Sequence, residues 1–273
     1  MTPALNAPAA RSAQGMVPKL GNILAAVWIP VLLLIGWQAA GAADPVVRGV
    51  ISSPLDVALA LAKGVADGSV LADLSISLQR ALLGWALTLL ITVPLAIAAG
   101  RLRLFSRMLV PVVDLLRPIS PIAWIPLAVL WFGIGLGSKL LIVFVVTFFV
   151  IFLNVYDAVI HIPPVFLNVC RTFTLSRWFL LANVVLPASL RGVVLGAQYG
   201  LSTSWGGVIV AEMVGANHGV GYQMLASANQ FDPTGVISYM VLIGLVGMTL
   251  NSLFLLACRR VLLKFPEASA SHG

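Results

Sequence analysis

The chain has 273 residues, 60% of them hydrophobic and 9% charged, with a mean hydropathy of +1.04. A soluble domain carries roughly 25% charged residues, so this chain lacks the polar surface needed to stay in water and reads as an integral membrane protein. The net charge of +7 does not signal nucleic acid, because the basic residues are scattered between apolar runs, as in membrane proteins whose cytoplasmic loops collect Lys and Arg.

Residues 1–20 are rich in Ala, Pro and polar side chains and read as a disordered tail. Ile23 to Ala40 is an uncharged apolar run about long enough to span a bilayer. The small residues from Ala39 to Ala42 imitate a signal-peptide cleavage site, but the run is long for a signal sequence. Asp44 to Arg80 is polar, with helical spacing from Asp56 to Ala66, and reads as a connector with an interfacial helix. Ala81 to Gly100 is a second span, followed closely by Arg101, Arg103 and Arg107. Met108 to Phe132 is a third, broken by Pro111, Pro118, Pro121 and Pro126. Proline removes a backbone donor that hydrocarbon cannot replace, so this span is expected among other helices or along a cavity. Leu140 to Tyr156, Gly192 to Ala211 and Val236 to Cys258 complete six spans, and 266–273 forms a C-terminal tail.

Six spans with both termini inside place Arg11, Lys19, Arg101, Arg103, Arg107, Arg171, Arg177, Arg191, Arg259, Arg260 and Lys264 in the cytoplasm. Arg48, Lys63, Arg80 and Lys139 fall outside, and Arg117 lies within a span. This asymmetry sets the orientation. The expected class is an all-α, multi-pass membrane protein.

Pro163 to Arg191 is a long interruption between spans that carries Arg171, Arg177 and Arg191. Phe166, Val169 and Phe173 recur at helical spacing, Ser176 is placed to cap a second short helix from Arg177, and Pro187 marks its end. The stretch is either a docking platform or an amphipathic connector on the membrane surface. Within the third span, Asp114 and Arg117 lie three apart and can share a helical face. They form either a mutually neutralising pair or, through Arg117, positive potential along an anion path. Trp205 and Glu212 belong to the end of the fifth span, where Gly196, Gly200, Gly206 and Gly207 allow close helix approach, at a dimer seam, along a pathway or inside the fold. Cys170 and Cys258 lack metal-ligand company, and His161, His218 and His272 are far apart in sequence, so no metal site is expected. No phosphate-binding loop is present, since Gly137-Ser138-Lys139 lacks the spacing, and no catalytic set stands out. The chain is expected not to be an enzyme by itself.

The frame from Asn168 to Arg177, closing at Leu186-Pro187, resembles the cytoplasmic signature loop of bacterial ABC importer permeases. Arg171, Thr172, Ser176, Arg177, Leu186 and Pro187 match the version in nitrate, sulfonate and taurine permeases. Asn168 stands for the usual Glu, Cys170 for Ala and Thr174 for Gly. Further likeness lies in Ser77-Leu78-Gln79-Arg80, in Arg117 to Gly133, and in Ala211-Glu212-Met213 with Gly219 to Tyr222, while Asn251 stands where many relatives carry an acid. The resemblance implies a type I-like permease fold of six helices over 21–265, in the bacterial inner membrane. It implies a coupling loop at 161–191 in which Asn168, Arg171, Thr172, Thr174, Ser176, Arg177, Leu186 and Pro187 meet an ATP-binding subunit. It also implies a homodimer, a soluble substrate-binding protein outside, and ATP with magnesium held on the partners and no cofactor in this chain. Asp114, Arg117, Trp205 and Glu212 are the pathway candidates, and the implied cargo is a small anion such as a sulfonate, taurine or nitrate. The rival expectation is a partner-independent secondary transporter or channel, which needs coupling-ion carboxylates mid-membrane and preferably two related halves. A non-transporting membrane scaffold is a third.

Overall fold

The computed structural model describes residues 28–29, 31–39, 52–173 and 176–264, and only the backbone of 167, 169–171, 177 and 260–264. Both expected tails, the candidate cleavage site, Thr174 and the two ends of the expected first span lie outside the described residues. The chain divides into two compact units, 1–55 and 56–273. In the first unit, 31–39 is helical (α1), and the Trp37 indole donates to the Ser52 carbonyl at 2.9 Å.

Helix α2 (Pro54–Ala66) leads through Gly68, a left-handed residue at φ +82°, into α3 (Ser69–Arg101). Asp67 accepts hydrogen bonds from the Ser69 amide at 2.9 Å and hydroxyl at 2.7 Å, and these hold its carboxyl below the usual 3.8. The polar connector expected up to Arg80 therefore ends at Gly68, and Asp73, Ser77 and Arg80 belong to the spanning helix itself. Then come α4 (Arg103–Leu116), a 3₁₀ turn at Pro121–Trp124, α5 (Ile125–Phe132) and α6 (Leu136–Ile160). The last part holds α7 (Pro164–Thr172), α8 (Arg177–Leu180), α9 (Leu186–Met213), α10 (Val220–Asn229) and α11 (Pro233–Lys264).

Helix directions follow from packing. Gly84 lies against Val143 and Gly100 against Val159, so α3 and α6 run the same way. Gly192 lies against Ala158 and Gly207 against Val146, so α9 runs against α6. The indole of Trp205 donates to the Ile243 carbonyl, and Gln198 donates to Asn251, so α11 runs against α9. Two parallel spans in succession require the chain between them to return across the layer. The pair α4 and α5, bent by 100° at the Arg117–Ser120 break, is therefore one broken crossing. With it, the described residues after Gly68 hold five crossings; of the expected first span, 28–29 and 31–39 are described.

Helix α6 is the axis of the bundle. In lipid there is little hydrophobic drive between helices, so close van der Waals packing must hold them. Gly192, Gly196 and Gly200, one turn apart on α9, bring its backbone onto Ala158, Asn154 and Ile151 of α6. The glycines are thus used inside the protomer, except Gly206, beside which nothing lies within 4 Å of an added Cβ. One buried cluster around Phe152, Val155 and Val159 packs α3, α4 and α6 towards the arginine-rich end. A second around Val143, Trp205 and Val208 packs α3, α6, α9 and α10 at the other end.

Candidate coupling, pathway and locking sites

The loop between α6 and α9 lies at the same end of the bundle as Arg101, Arg103 and Arg107. Ser176 caps α8 as its position suggests: its hydroxyl accepts from the Phe179 amide at 3.1 Å. Asn168 and Thr172 are exposed on α7, where the Thr172 hydroxyl donates to the Asn168 carbonyl at 3.0 Å. Arg171 and Arg177 occupy helical positions on α7 and α8. Around them, Val165, Phe166, Phe173 and Trp178 leave apolar surface uncovered, with Trp178 78% exposed.

The expectation that a short helix ends at Pro187 is not met. The chain passes from α8 through a π-helical turn, Leu181–Val185, directly into α9, where Leu186 is exposed and Pro187 sits in the first turn. The wider turn pairs the Leu186 amide with the Leu181 carbonyl, and proline is tolerated in a first turn, where its missing N–H has little to bond. The span therefore runs from Trp178 to Met213 rather than starting near Gly192. Helical backbone is thus continuous from α8 into α9.

Asp114 and Arg117 are both exposed on the protomer, and no ion pair joins them. Arg117 keeps helical backbone angles as the cap of α4, with its amide on the Val113 carbonyl at 2.9 Å, so the two stay one turn apart and yet do not pair. Arg117 instead lines an open-sided cavity of about 370 Å³ with Ile119, Pro121 and the α6 residues Val145, Val146, Phe149, Val150, Leu153 and Asn154. An intramembrane arginine without a counter-charge costs about 2.5–3.5 kcal/mol or more, which favours a watered path or a partner over lipid around it.

Trp205 and Glu212 do not line that cavity. Trp205 is 4% exposed and packs against α11. Glu212 is fully buried at the opposite end of the bundle from the α7–α8 loop. Its carboxylate accepts from Arg80 at 2.6 Å, from the Ser77 hydroxyl at 2.8–2.9 Å and from the Gly221 amide at 3.1 Å. The Val220 amide donates to Ser77 at 2.9 Å, the Gly219 amide to Asp73 at 2.9 Å, and Arg80 also to the His218 carbonyl at 2.9 Å. Three successive amides at the start of α10 are thus held by α3 and by the last turn of α9. Gly219 has φ +122°, and a Cβ there would stand 2.5 Å from the Glu212 carboxylate. Beside this lock, the Lys139 ammonium donates to the carbonyls of Gly135 and Gly215 at 3.0 and 2.9 Å.

Sequence reading does not single out Asp73, Ser77, Arg80, Gly219 and Gly221 as a unit. One signal was present, since Asp73, Ser77 and Arg80 repeat at four and three residues and share a helical face. What they face lies more than 130 residues away in the chain.

A bundle of antiparallel and parallel spans with one broken crossing and a helical loop at its basic end defines a multi-span membrane protein. Residues 78–262 match the family described as binding-protein-dependent transport system inner membrane component, and the chain belongs to that family of ABC importer permeases. It is 29% identical over 261 residues to the putative aliphatic sulfonates transport permease protein SsuC of Bacillus subtilis, covering 95% of this chain and 94% of that one. It is 31% identical over 175 residues to the taurine transport system permease protein TauC of Escherichia coli, covering 64% and 63%. Its fold is similar to a chain of the MetNI methionine ABC transporter solved in inward-facing conformations. The TM-score is 0.60 at 21% identity, over 68% of this chain and 92% of that one.

Proposed function

We propose that this permease passes a small anion of the sulfonate, taurine or nitrate kind through a homodimer, driven by two ATP-binding subunits and supplied by a substrate-binding protein. ATP and magnesium sit on those partners, and both termini of this chain are cytoplasmic. The observation that carries the reading is the position of the α7–α8 platform. It lies at the end of the bundle that also holds Arg101, Arg103, Arg107 and Arg191, it leaves Phe166, Phe173 and Trp178 uncovered, and it continues into α9. Cationic loops mark the cytoplasmic face, which is where an ATP-binding subunit must dock. Closure of the two ATP-binding subunits would move α8 and α9 as one body and switch the bundle between outward- and inward-open states. The sulfonate and taurine relatives, together with Arg117 in the broken span, support an anionic cargo.

The test is co-purification from detergent with co-expressed candidate ATP-binding subunits, comparing wild type with Arg171→Glu/Arg177→Glu. A stable complex that is lost on charge reversal is expected. Folded wild-type protein that captures no ATP-binding subunit would refute the coupling role and favour a partner-independent transporter.

A further inference from the structure

We infer that the cavity beside the helix break is a mid-membrane resting site for a small organic anion bearing a short apolar chain. The acid group sits against the Arg117 guanidinium and the chain lies along α6. This rests on the anion-transport reading above and narrows it. Depth is the first argument. Val145 to Asn154 lie about 13–27 Å along α6 from its start at Leu136, at 1.5 Å per residue, so the cavity straddles the middle of a roughly 30 Å hydrocarbon layer. A phospholipid headgroup does not reach that depth.

Charge is the second. Arg117 is the one charged group among the described lining residues, and Asp114 is not paired with it. A guanidinium presents a planar fork of donors that matches a sulfonate or carboxylate. The walls are the third argument. Val145, Val146, Phe149, Val150 and Leu153 offer no donor, and Asn154 gives one of its two amide N–H groups to the Val150 carbonyl at 2.8 Å, leaving the other as the second donor of the site. A bare oxyanion entering here would exchange part of its water for valine and phenylalanine along the α6 wall. An anion with a few methylene groups covers those walls instead. At about 30 Å³ per water the cavity holds roughly a dozen waters, room for such an anion with part of its hydration.

The experiment is isothermal titration of the permease with its ATP-binding subunits in nonionic detergent, without binding protein. The probes are methanesulfonate, ethanesulfonate, butanesulfonate and nitrate. Affinity is expected to rise two- to fourfold per added methylene, from burial along the α6 wall, with nitrate weakest. Arg117→Gln should weaken butanesulfonate at least tenfold, Arg117→Lys should retain part of the binding, and Val150→Phe should remove it by filling the cavity. Binding in Arg117→Gln within twofold of wild type, or nitrate equal to butanesulfonate, would overturn the site. So would a homodimer that dissociates in both Asp114→Asn and Arg117→Gln, which would assign the charges to a seam between protomers. Failure of the importer reading shows separately, as wild-type protein that captures no ATP-binding subunit.

Discussion

Removing one partner of the Glu212–Arg80 pair should cost more on one side than on the other. Glu212→Gln keeps the shape and an acceptor for Ser77 or the Gly221 amide, but strands the Arg80 cation. The Arg80 side chain is 18% exposed and still donates to the His218 carbonyl, so it retains some access to water. The loss is expected near the low end of the usual range for a broken buried pair, about 3 kcal/mol. Arg80→Ala instead leaves a carboxylate with 0% exposure and two weaker donors, and is expected near the upper end, about 5 kcal/mol. The double variant removes both charges, so its loss should fall below the sum of the singles by about 2 kcal/mol or more. The assay is denaturant unfolding in mixed micelles followed by tryptophan fluorescence, run as a double-mutant cycle. Additive losses, or a Glu212→Gln variant within about 0.5 kcal/mol of wild type, would refute the view that this pair locks α10 onto α3 and α9.

Gly219→Ala should destabilise the same lock by about 2–6 kcal/mol. Strain at φ +122° contributes about 1–3, and the clash with the Glu212 carboxylate a similar amount, read as loss of the monodisperse peak on heating. Gly192→Ala should cost about 1–3 kcal/mol, because its Cβ would meet Ala158 and stand 2.8 Å from the Asn154 carbonyl, whereas Gly206→Ala should be neutral or slightly stabilising. Thermal melts of the two variants side by side check this. Ser176→Ala should fray α8 at a cost of about 0.5–2 kcal/mol by removing the cap on the Phe179 amide, seen as faster amide exchange at residues 177–180. The Asp67 cap, whose native pKa is depressed, contributes fully above pH 3.8 and is lost as pH falls through the native value. Ser69→Ala removes the larger of the two hydrogen bonds and keeps the amide one, so it should reduce that acid dependence in exchange rates at the start of α3.

Much of the architecture was legible in the amino-acid order because transfer into lipid depends on composition over windows of about 20 residues. The apolar runs beginning near Ala81, Leu140 and Val236 each fall inside a described spanning helix. The prolines from Pro111 to Pro126 marked the break in the third span, and Ser176 marked the start of α8. Boundaries were less legible. The α3 helix continues through a polar stretch to Ser69, because Asp73, Ser77 and Arg80 are satisfied by partners in α9 and α10 rather than by water. The π-helical turn carries the chain past Pro187, because one wider turn absorbs the missing donor. Local spacing set Asp114 and Arg117 one turn apart on one helix, but the 100° bend that follows places Arg117 beside an open cavity, where it lines the wall unpaired. The sequence by itself therefore determined that the chain is a helical membrane protein and which end is basic, since both depend on residue type and order. Only the tertiary structure decided that Glu212 is locked while Arg117 stands in a cavity. That difference lies in partners more than 130 residues distant for one and in a bend of the backbone for the other, and neither can be read from neighbours in the chain.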